Sequence, residues 1–214
     1  MVDMTCGGAV TRHVLHGGQY FQGPQIRTID QRTRLVTITV GGNDTLYIAD
    51  LSQLAARHAG TLWGRVVRAF WSGPESLQQR DFAHFGNELT AALRAIHERA
   101  PGATVIVATY PTILPPTGSC AAIGLSEEEA ALMRRVAVRL AAATATAARK
   151  GGALLVDMDK LGADHNACSS ESWTRGWANG GIAPFHPNER GAQATATVIA
   201  QALKASPAGV AAVH

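Results

Sequence analysis

Three short runs of aliphatic and β-branched residues occur along the chain, at residues 35–40, 104–109 and 153–158. None of them carries charged residues at alternating positions, and a glycine pair or a proline marks one end of each. This pattern predicts strands that are buried on both faces, as in a parallel sheet. A shorter segment at residues 2–5 predicts one further strand end.

Segments with helical periodicity separate these runs. Apolar residues recur every three or four positions over residues 82–99, and Ser126 with Glu129 forms a capping box that predicts another helix start. A last helix is predicted over residues 189–204. Strands that alternate with helices predict an α/β fold, in which helices cover both faces of the sheet and ligands bind at the carboxyl ends of the strands.

Composition limits the classes of function. The 214 residues, 46% of them hydrophobic, are enough for a single domain over residues 1–214 but too few for two. Charged residues make up only 16%, and the formal net charge of +3 is spread without a basic run, which argues against a nucleic-acid partner. No segment approaches the roughly 20 apolar residues of a membrane span, so stable membrane insertion is not expected.

Two polar residues are candidates for catalysis. Gly41 and Gly42 let the chain turn sharply after the first run, so that the amide of Asn43 can donate to an oxyanion. The alternative is a simple Asx turn. His186 lies in a loop directly before the last helix and is a candidate general base, although an isolated histidine is more often a surface residue.

Three segments form an ordered set: CGGAVT at residues 6–11, VGGND at residues 40–44, and FHPN at residues 185–188 with Gly191 beyond it. In this set the chain resembles the SGNH/GDSL hydrolases, specifically secreted esterases and lipases of the actinobacterial type, over about residues 2–203. The resemblance implies a three-layer α/β/α sandwich with a flavodoxin-like parallel sheet. It also implies a serine esterase or lipase that hydrolyses small-molecule acyl esters through an acyl-enzyme, without a metal or an organic cofactor.

The resemblance also implies residue roles. The backbone N–H of Gly8 and the side-chain amide of Asn43 would form the oxyanion hole, and His186 would be the general base. The family often has an aspartate three residues before the histidine, where this chain has Ala183. Some relatives use a main-chain carbonyl at this position, so the resemblance implies that the carbonyl of Ala183 orients the imidazole. Asp164 or Asp159 could substitute for it, although turn positions are the favoured interpretation for both.

The cysteines bear on the compartment. Cys120 and Cys168 lie in polar loops flanked by small residues, and both positions match the resemblance, so we expect a disulfide between them. Cys6 is then left without a partner. A disulfide favours a secreted, extracellular protein, although residues 1–4 lack the basic and apolar regions of a signal peptide. We also expect a monomer.

The nucleophile is the main departure from the family pattern. The first family block, Gly-Asp-Ser, occurs nowhere in the 214 residues. Seven other serines are expected in loops or at helix starts and therefore do not replace its nucleophile, namely Ser72, Ser76, Ser119, Ser126, Ser169, Ser170 and Ser172. We therefore expect an N-terminally truncated reading of a longer enzyme, without its first strand and with impaired activity or none. Two alternatives are a non-catalytic SGNH-like binding or remnant protein, and an acyltransferase to a sugar or another alcohol.

Other candidate residues have structural explanations. No metal is expected, because the spacing matches no defined site for the four candidate ligands Asp157, Asp159, Asp164 and His165. Three aromatic residues could cover an acyl pocket, but core packing is the favoured interpretation for Trp63, Phe70 and Trp71.

Overall fold

The computed structural model describes residues 1–178, 181 and 183–205. Its strands are β1 (Leu35–Ile38), β2 (Thr104–Ala108) and β3 (Leu154–Val156). Its α-helices are α1 (Thr11–His16), α2 (Tyr47–His58), α3 (Leu62–Phe70), α4 (Phe82–Arg99), α5 (Glu127–Gly151), α6 (Met158–Leu161) and α7 (Glu189–Ala205). Short 3-10 turns lie at Gln19–Phe21, Gln25–Thr28 and Ala163–His165.

The strands form a parallel sheet in the order β1-β2-β3, so that β2 is central. Leu35 of β1 lies opposite Thr104, and Ile106 of β2 lies opposite Leu154. The middle residues of β2, from Val105 to Ala108, are buried on both faces. This is the burial that the uninterrupted apolar pattern predicted for a strand inside a parallel sheet.

Helices cover both faces of the sheet and make three layers. α4 and α5 pack against one face and against each other, with Leu93 of α4 and Leu140 of α5 in the main core. α7 packs against β2 and β3 on the other face, where Val198 contacts a second apolar cluster that contains Ile106. The fold is therefore the α/β/α sandwich that the resemblance implied.

Polar caps fix the starts of the two long helices on the first face. The Ser126 hydroxyl accepts from the Glu129 N–H, and the Glu129 carboxylate accepts from the Ser126 N–H at 2.8 Å, which is the predicted capping box of α5. Asp81 caps α4 by accepting from the His84 N–H at 2.8 Å. Both helices therefore begin at the positions that their sequences indicate.

Three predictions about strands are wrong. Residues 2–5 form no strand, and none of the described strands pairs with them. β1 and β3 are not buried on both faces, because both are edge strands: Leu35 and Thr37 of β1 and Leu154 of β3 are exposed. The three strands also end one or two residues earlier than predicted.

The disulfide predicted between Cys120 and Cys168 is present, with the Cα atoms 6.0 Å apart. It joins the loop that follows β2 to the segment that follows the last 3-10 turn, so α5 and β3 lie between its ends in the sequence. Cys6 is a free, half-buried thiol. In the part of the chain that the structure describes, no helix has the length and apolar character needed to cross a bilayer.

Candidate active site

The turn after β1 depends on a pair of glycines. Gly41 has φ 112°, and a Cβ atom there would lie 2.5 Å from the ring of Phe85. A Cβ atom at Gly42 would lie 3.0 Å from the ring of Tyr110. Side chains at these positions would displace aromatic rings from the core, so the glycines hold Asn43 close to the carboxyl end of β1.

Asn43 and Asp44 contact the segment that contains Gly8. Nδ2 of Asn43 donates to the Ala9 carbonyl at 3.0 Å. Oδ1 of Asp44 accepts from the Thr11 N–H at 2.9 Å and also from the Thr11 hydroxyl. Gly8 has φ 80°, in the left-handed region that favours glycine. The structure thus brings together the two segments from which an oxyanion hole was expected.

Both expected donors have N–H groups left for a ligand. The Asn43 amide carries two N–H groups, and its contact with the Ala9 carbonyl uses one of them. Gly8 is exposed, and no hydrogen bond among the described residues engages its N–H. Neither donor is therefore fully used by the contacts that the structure describes.

A buried ion pair supports the turn from the core side. Arg80 donates to the carboxylate of Asp50 in α2, to the carbonyl of Thr45 and, at 2.9 Å, to the carbonyl of Glu75. Burial raises the pKa of Asp50, although the Arg80 charge acts in the opposite direction. The sequence analysis missed this pair, because the partners lie 30 residues apart and neither belongs to a motif.

A main-chain carbonyl holds the ring of His186. Nδ1 of His186 lies 2.8 Å from the carbonyl oxygen of Pro184, so the partner expected at Ala183 is wrong by one residue. Phe185 is fully buried and has φ 60°. This left-handed conformation makes a tight turn that lets the imidazole of His186 reach the carbonyl two residues before it. Because a carbonyl oxygen only accepts, Nδ1 is the donor in this contact, and in the neutral imidazole Nε2 is then the acceptor.

No described contact connects His186 to the oxyanion segments. Within residues 1–178, 181 and 183–205, no hydrogen bond joins His186 to Gly8 or to Asn43. The loop of His186 is tied to Arg175 instead: the Phe185 N–H donates to the Arg175 carbonyl at 3.1 Å, and the Arg175 N–H donates to the His186 carbonyl at 2.9 Å. The base candidate is therefore positioned independently of the oxyanion candidates.

Polar residues that follow β2 and β3 meet at the carboxyl edge of the sheet. The Thr109 hydroxyl accepts from the Asp159 N–H at 2.9 Å, and the Thr112 hydroxyl donates to the Asp159 carbonyl. Burial raises the pKa of the Asp159 carboxyl, and the charge of Asp157 raises it further. Asp159 and Tyr47 are both part of the cleft at this edge.

This cleft has a volume of about 830 Å³. The loop of residues 112–116 and the first half of α5 form its walls, and Leu77, Ile113 and Leu114 are among the apolar residues of its lining. Tyr47, four residues after Asn43, also lines it. None of the predicted oxyanion or base residues does. A cleft of this volume can enclose a small-molecule ligand.

The residues considered earlier as metal ligands have other contacts. His165 stacks on the ring of Trp173, with the ring centroids 4.2 Å apart. Asp157 caps α6 and pairs with Lys160 at 2.7 Å. Among the residues that the structure describes, no three His, Cys, Asp or Glu side chains are grouped as metal ligands.

Known proteins share both the sequence pattern and the fold. A model of the GDSL-like lipase/acylhydrolase family matches residues 1–194. The chain belongs to this family. Within it, Lipase 2 of Streptomyces coelicolor is 30% identical over 206 residues, which cover 89% of this chain and 67% of that protein. A lipase of Streptomyces rimosus is 29% identical over 186 residues, which cover 87% of this chain and 63% of that protein.

Solved structures agree with the family assignment. The crystal structure of an extracellular lipase from Streptomyces rimosus matches with a TM-score of 0.66 and 30% sequence identity, over 92% of this chain and 77% of that chain. A phospholipase A1 from Streptomyces albidoflavus shares the fold, with a TM-score of 0.68 and 24% identity over 92% and 78% of the two chains. This GDSL-like chain spans 63% of the length of the Streptomyces rimosus lipase sequence.

Proposed function

We propose that this chain supplies the oxyanion and general-base groups of a carboxylic ester hydrolase, and that the nucleophilic serine is not among its 214 residues. The observation that carries the proposal is the contact between the Asn43 amide and the Ala9 carbonyl, because it sets Asn43 beside the segment of Gly8. Membership of the GDSL-like lipase/acylhydrolase family makes ester hydrolysis the expected chemistry.

Each residue has a defined step in this proposal. A hydroxyl attacks the ester carbonyl, and Nε2 of His186 accepts the hydroxyl proton, since Nδ1 is engaged by Pro184. The carbonyl oxygen becomes negatively charged, and the N–H groups of Gly8 and Asn43 donate to it. Loss of one such donor raises the barrier by about 3–4 kcal/mol. His186 then returns the proton to the leaving alcohol, and water releases the acyl group by the same route.

The contacts of the serines within the chain support a nucleophile elsewhere. The Ser119 hydroxyl donates to the Leu125 carbonyl at 2.6 Å, and the Ser169 hydroxyl donates to the Asn166 carbonyl at 3.0 Å. Among the described residues, no serine is hydrogen-bonded to His186. A serine nucleophile needs a base within hydrogen-bonding reach, and none of these serines has one.

The cleft beside Tyr47 suits the acyl part of a small-molecule ester. Its lining is mostly apolar, and it opens at the carboxyl edge of the sheet, where ligands of parallel α/β proteins bind. Tyr47 lies only four residues after Asn43 in the chain, so an ester could place its carbonyl near the oxyanion residues and its acyl chain in the cleft.

A fluorophosphonate probe tests whether a nucleophile is present, because it reacts with a serine that is activated beside an oxyanion hole. We expect no stoichiometric adduct on the purified 214-residue chain. A single adduct, mapped to one serine by peptide mass, would overturn the proposal that the nucleophile lies outside these residues.

A version of the chain extended by a strand that ends in Gly-Asp-Ser tests the assigned groups. We expect it to hydrolyse p-nitrophenyl esters, His186→Ala to abolish turnover, and Asn43→Ala to lower kcat by about 10²–10³-fold. His84→Ala, which removes an exposed histidine of α4, is the matched control and should keep the full rate. Full activity of His186→Ala would mean that another group is the base.

The missing Gly-Asp-Ser block also favours a second function, in which the chain binds acyl esters without turning them over. In that case the extended version stays inactive while the chain still binds an ester.

Acyl transfer to a sugar or another alcohol uses the same acyl-enzyme as hydrolysis. Product analysis with and without an added alcohol separates transfer from hydrolysis.

An extracellular location and a monomeric state complete the proposal. The disulfide between Cys120 and Cys168 is of the kind that persists in oxidising compartments. The similar Streptomyces rimosus protein is an extracellular lipase.

A further inference from the structure

The outward face of α3 is apolar. Leu62, Trp63, Val66 and Phe70 are 75%, 60%, 43% and 87% exposed, respectively. At about 100° per residue, these four side chains fall within an arc of about 100° on one side of the helix. We call these four residues the α3 stripe. Core packing, the favoured interpretation for Trp63 and Phe70, is therefore wrong.

The opposite side of α3 is docked on the protein, so the stripe is a fixed surface. Gly64 packs against α2, where a Cβ atom would lie 2.4 Å from the carbonyl oxygens of Ala56 and Ala59. Val67 is buried, and the Thr61 hydroxyl caps the helix by accepting from the Gly64 N–H at 3.0 Å. The apolar stripe is thus left uncovered while the helix itself is held in place.

The charged residues of α3 itself have one sign. Residues 60–71 include Arg65 and Arg68 and no acidic residue. Arg68 donates to the carbonyls of Arg57 and Ala59, whereas the exposed Arg65 has no side-chain partner among the described residues. An apolar face with a tryptophan, next to arginines, is the composition of a helix that lies in the headgroup region of a membrane with its apolar face inserted.

We propose that the α3 stripe binds an anionic lipid–water interface and holds the protein there. A second copy of the chain fits this surface less well, because a symmetric contact would bring together two patches that carry arginines and no acidic residue. The proposal goes beyond ester hydrolysis and does not require it. Binding to lipid can be measured on the chain as it is, so its failure is distinguishable from a failure of the proposed catalysis.

Co-sedimentation with vesicles tests the proposal. We expect the chain to bind vesicles of equimolar phosphatidylglycerol and phosphatidylcholine, to bind pure phosphatidylcholine more weakly, and to lose affinity as salt is raised. Trp63→Ser and Phe70→Ser should each weaken binding about tenfold, because each removes a large inserting side chain. Arg65→Gln should weaken it about fivefold, since one basic residue near the surface is lost.

Matched variants separate the stripe from general surface properties. Leu161→Ser removes an exposed apolar side chain of α6, and Arg94→Gln removes an exposed cation of α4. Both variants should leave vesicle binding unchanged. Lipids with brominated acyl chains should quench the fluorescence of Trp63. That quenching should disappear in Trp63→Phe, while vesicle binding changes less than twofold.

Two results would overturn the proposal. The first is equal vesicle binding by the wild-type chain, Trp63→Ser and Phe70→Ser. The second is a dimer, detected by light scattering without lipid, that Phe70→Ser converts to a monomer, because the stripe would then be an interface between copies. Since all these side chains are exposed, thermal melting should show that the variants remain folded.

Discussion

The proton on His186 is the most direct residue-scale consequence of the structure. Its Nδ1 lies 2.8 Å from the Pro184 carbonyl, which can only accept, so the neutral ring should be the Nδ1–H tautomer with Nε2 free. Nitrogen-15 NMR of labelled histidine, at a pH where the ring is neutral, measures this directly. The His186→Ala spectrum identifies the signal. An Nε2–H tautomer would contradict the assignment of Nε2 as the proton acceptor.

Sequence reasoning located the residues that belong to motifs but missed their partners. Asn43 and His186 were identified because each lies in a short pattern, and the glycines before Asn43 explain its position. The partner of His186 was placed one residue too early, because a sequence does not reveal the left-handed conformation of Phe185. Arg80 gave no signal at all, since its ion pair depends on tertiary contacts.

At the scale of elements, Glu129 links the start of α5 to the end of α2. Its carboxylate accepts from the Ser126 N–H at 2.8 Å and contacts Arg57 and, at 2.7 Å, Nε2 of His58. Burial acts to raise the pKa of Glu129, but these hydrogen bonds and charges outweigh it and lower the pKa below its ordinary value of 4.5. The ionised form therefore stabilises the fold.

We expect Glu129→Gln to lower the free energy of unfolding by about 1 kcal/mol at pH 7. The amide oxygen of glutamine can keep the capping hydrogen bond, but the charge is lost and the NH2 group cannot accept from Arg57. A carboxyl with a lowered pKa contributes stability above its ordinary value of 4.5 and loses it as the pH falls through the folded value. The difference in the free energy of unfolding between wild type and Glu129→Gln should therefore shrink as the pH falls below 4.5. Urea titrations check this, with the exposed Glu128→Gln as control; an equal effect of both variants would contradict it.

Helices and strands could be predicted where their packing follows the hydrophobic pattern of the sequence. α4 has the predicted bounds because apolar residues cover one of its faces at helical spacing and Asp81 caps it. β1 was predicted to be buried because of its composition, but its exposure depends on which strands lie beside it. The α3 stripe shows the same limit, since periodicity reveals an apolar face and not what covers it.

At the scale of the whole molecule, the three layers follow from the alternation of apolar runs and helical segments. The parallel pairing of the strands and the helices on both faces agree with that pattern, because the local preference of each segment and the burial of its apolar residues favour the same structure. The expected loss of a first strand stays a prediction. Its physical basis is the edge position of β1, where one side of the strand has no described neighbour.

The disulfide should supply a large share of the stability of the whole molecule. Cys120 and Cys168 close a loop across a sequence separation of 48, and a cross-link of that length stabilises by about 2–4 kcal/mol through the unfolded state. Replacing both cysteines by serine should lower the free energy of unfolding by this amount in denaturant titrations, a large part of the few kcal/mol that hold a domain folded.

Cys6→Ser is the matched control for this change, because Cys6 is free and its loss should leave stability unaltered. Peptide mass analysis without reductant should recover Cys120 joined to Cys168 in wild-type protein and in Cys6→Ser. Free thiols at both positions in folded, oxidised protein would contradict the pairing and remove the main support for an extracellular location. Equal stability with and without the pair would show instead that packing alone holds the loop after β2 against the rest of the fold.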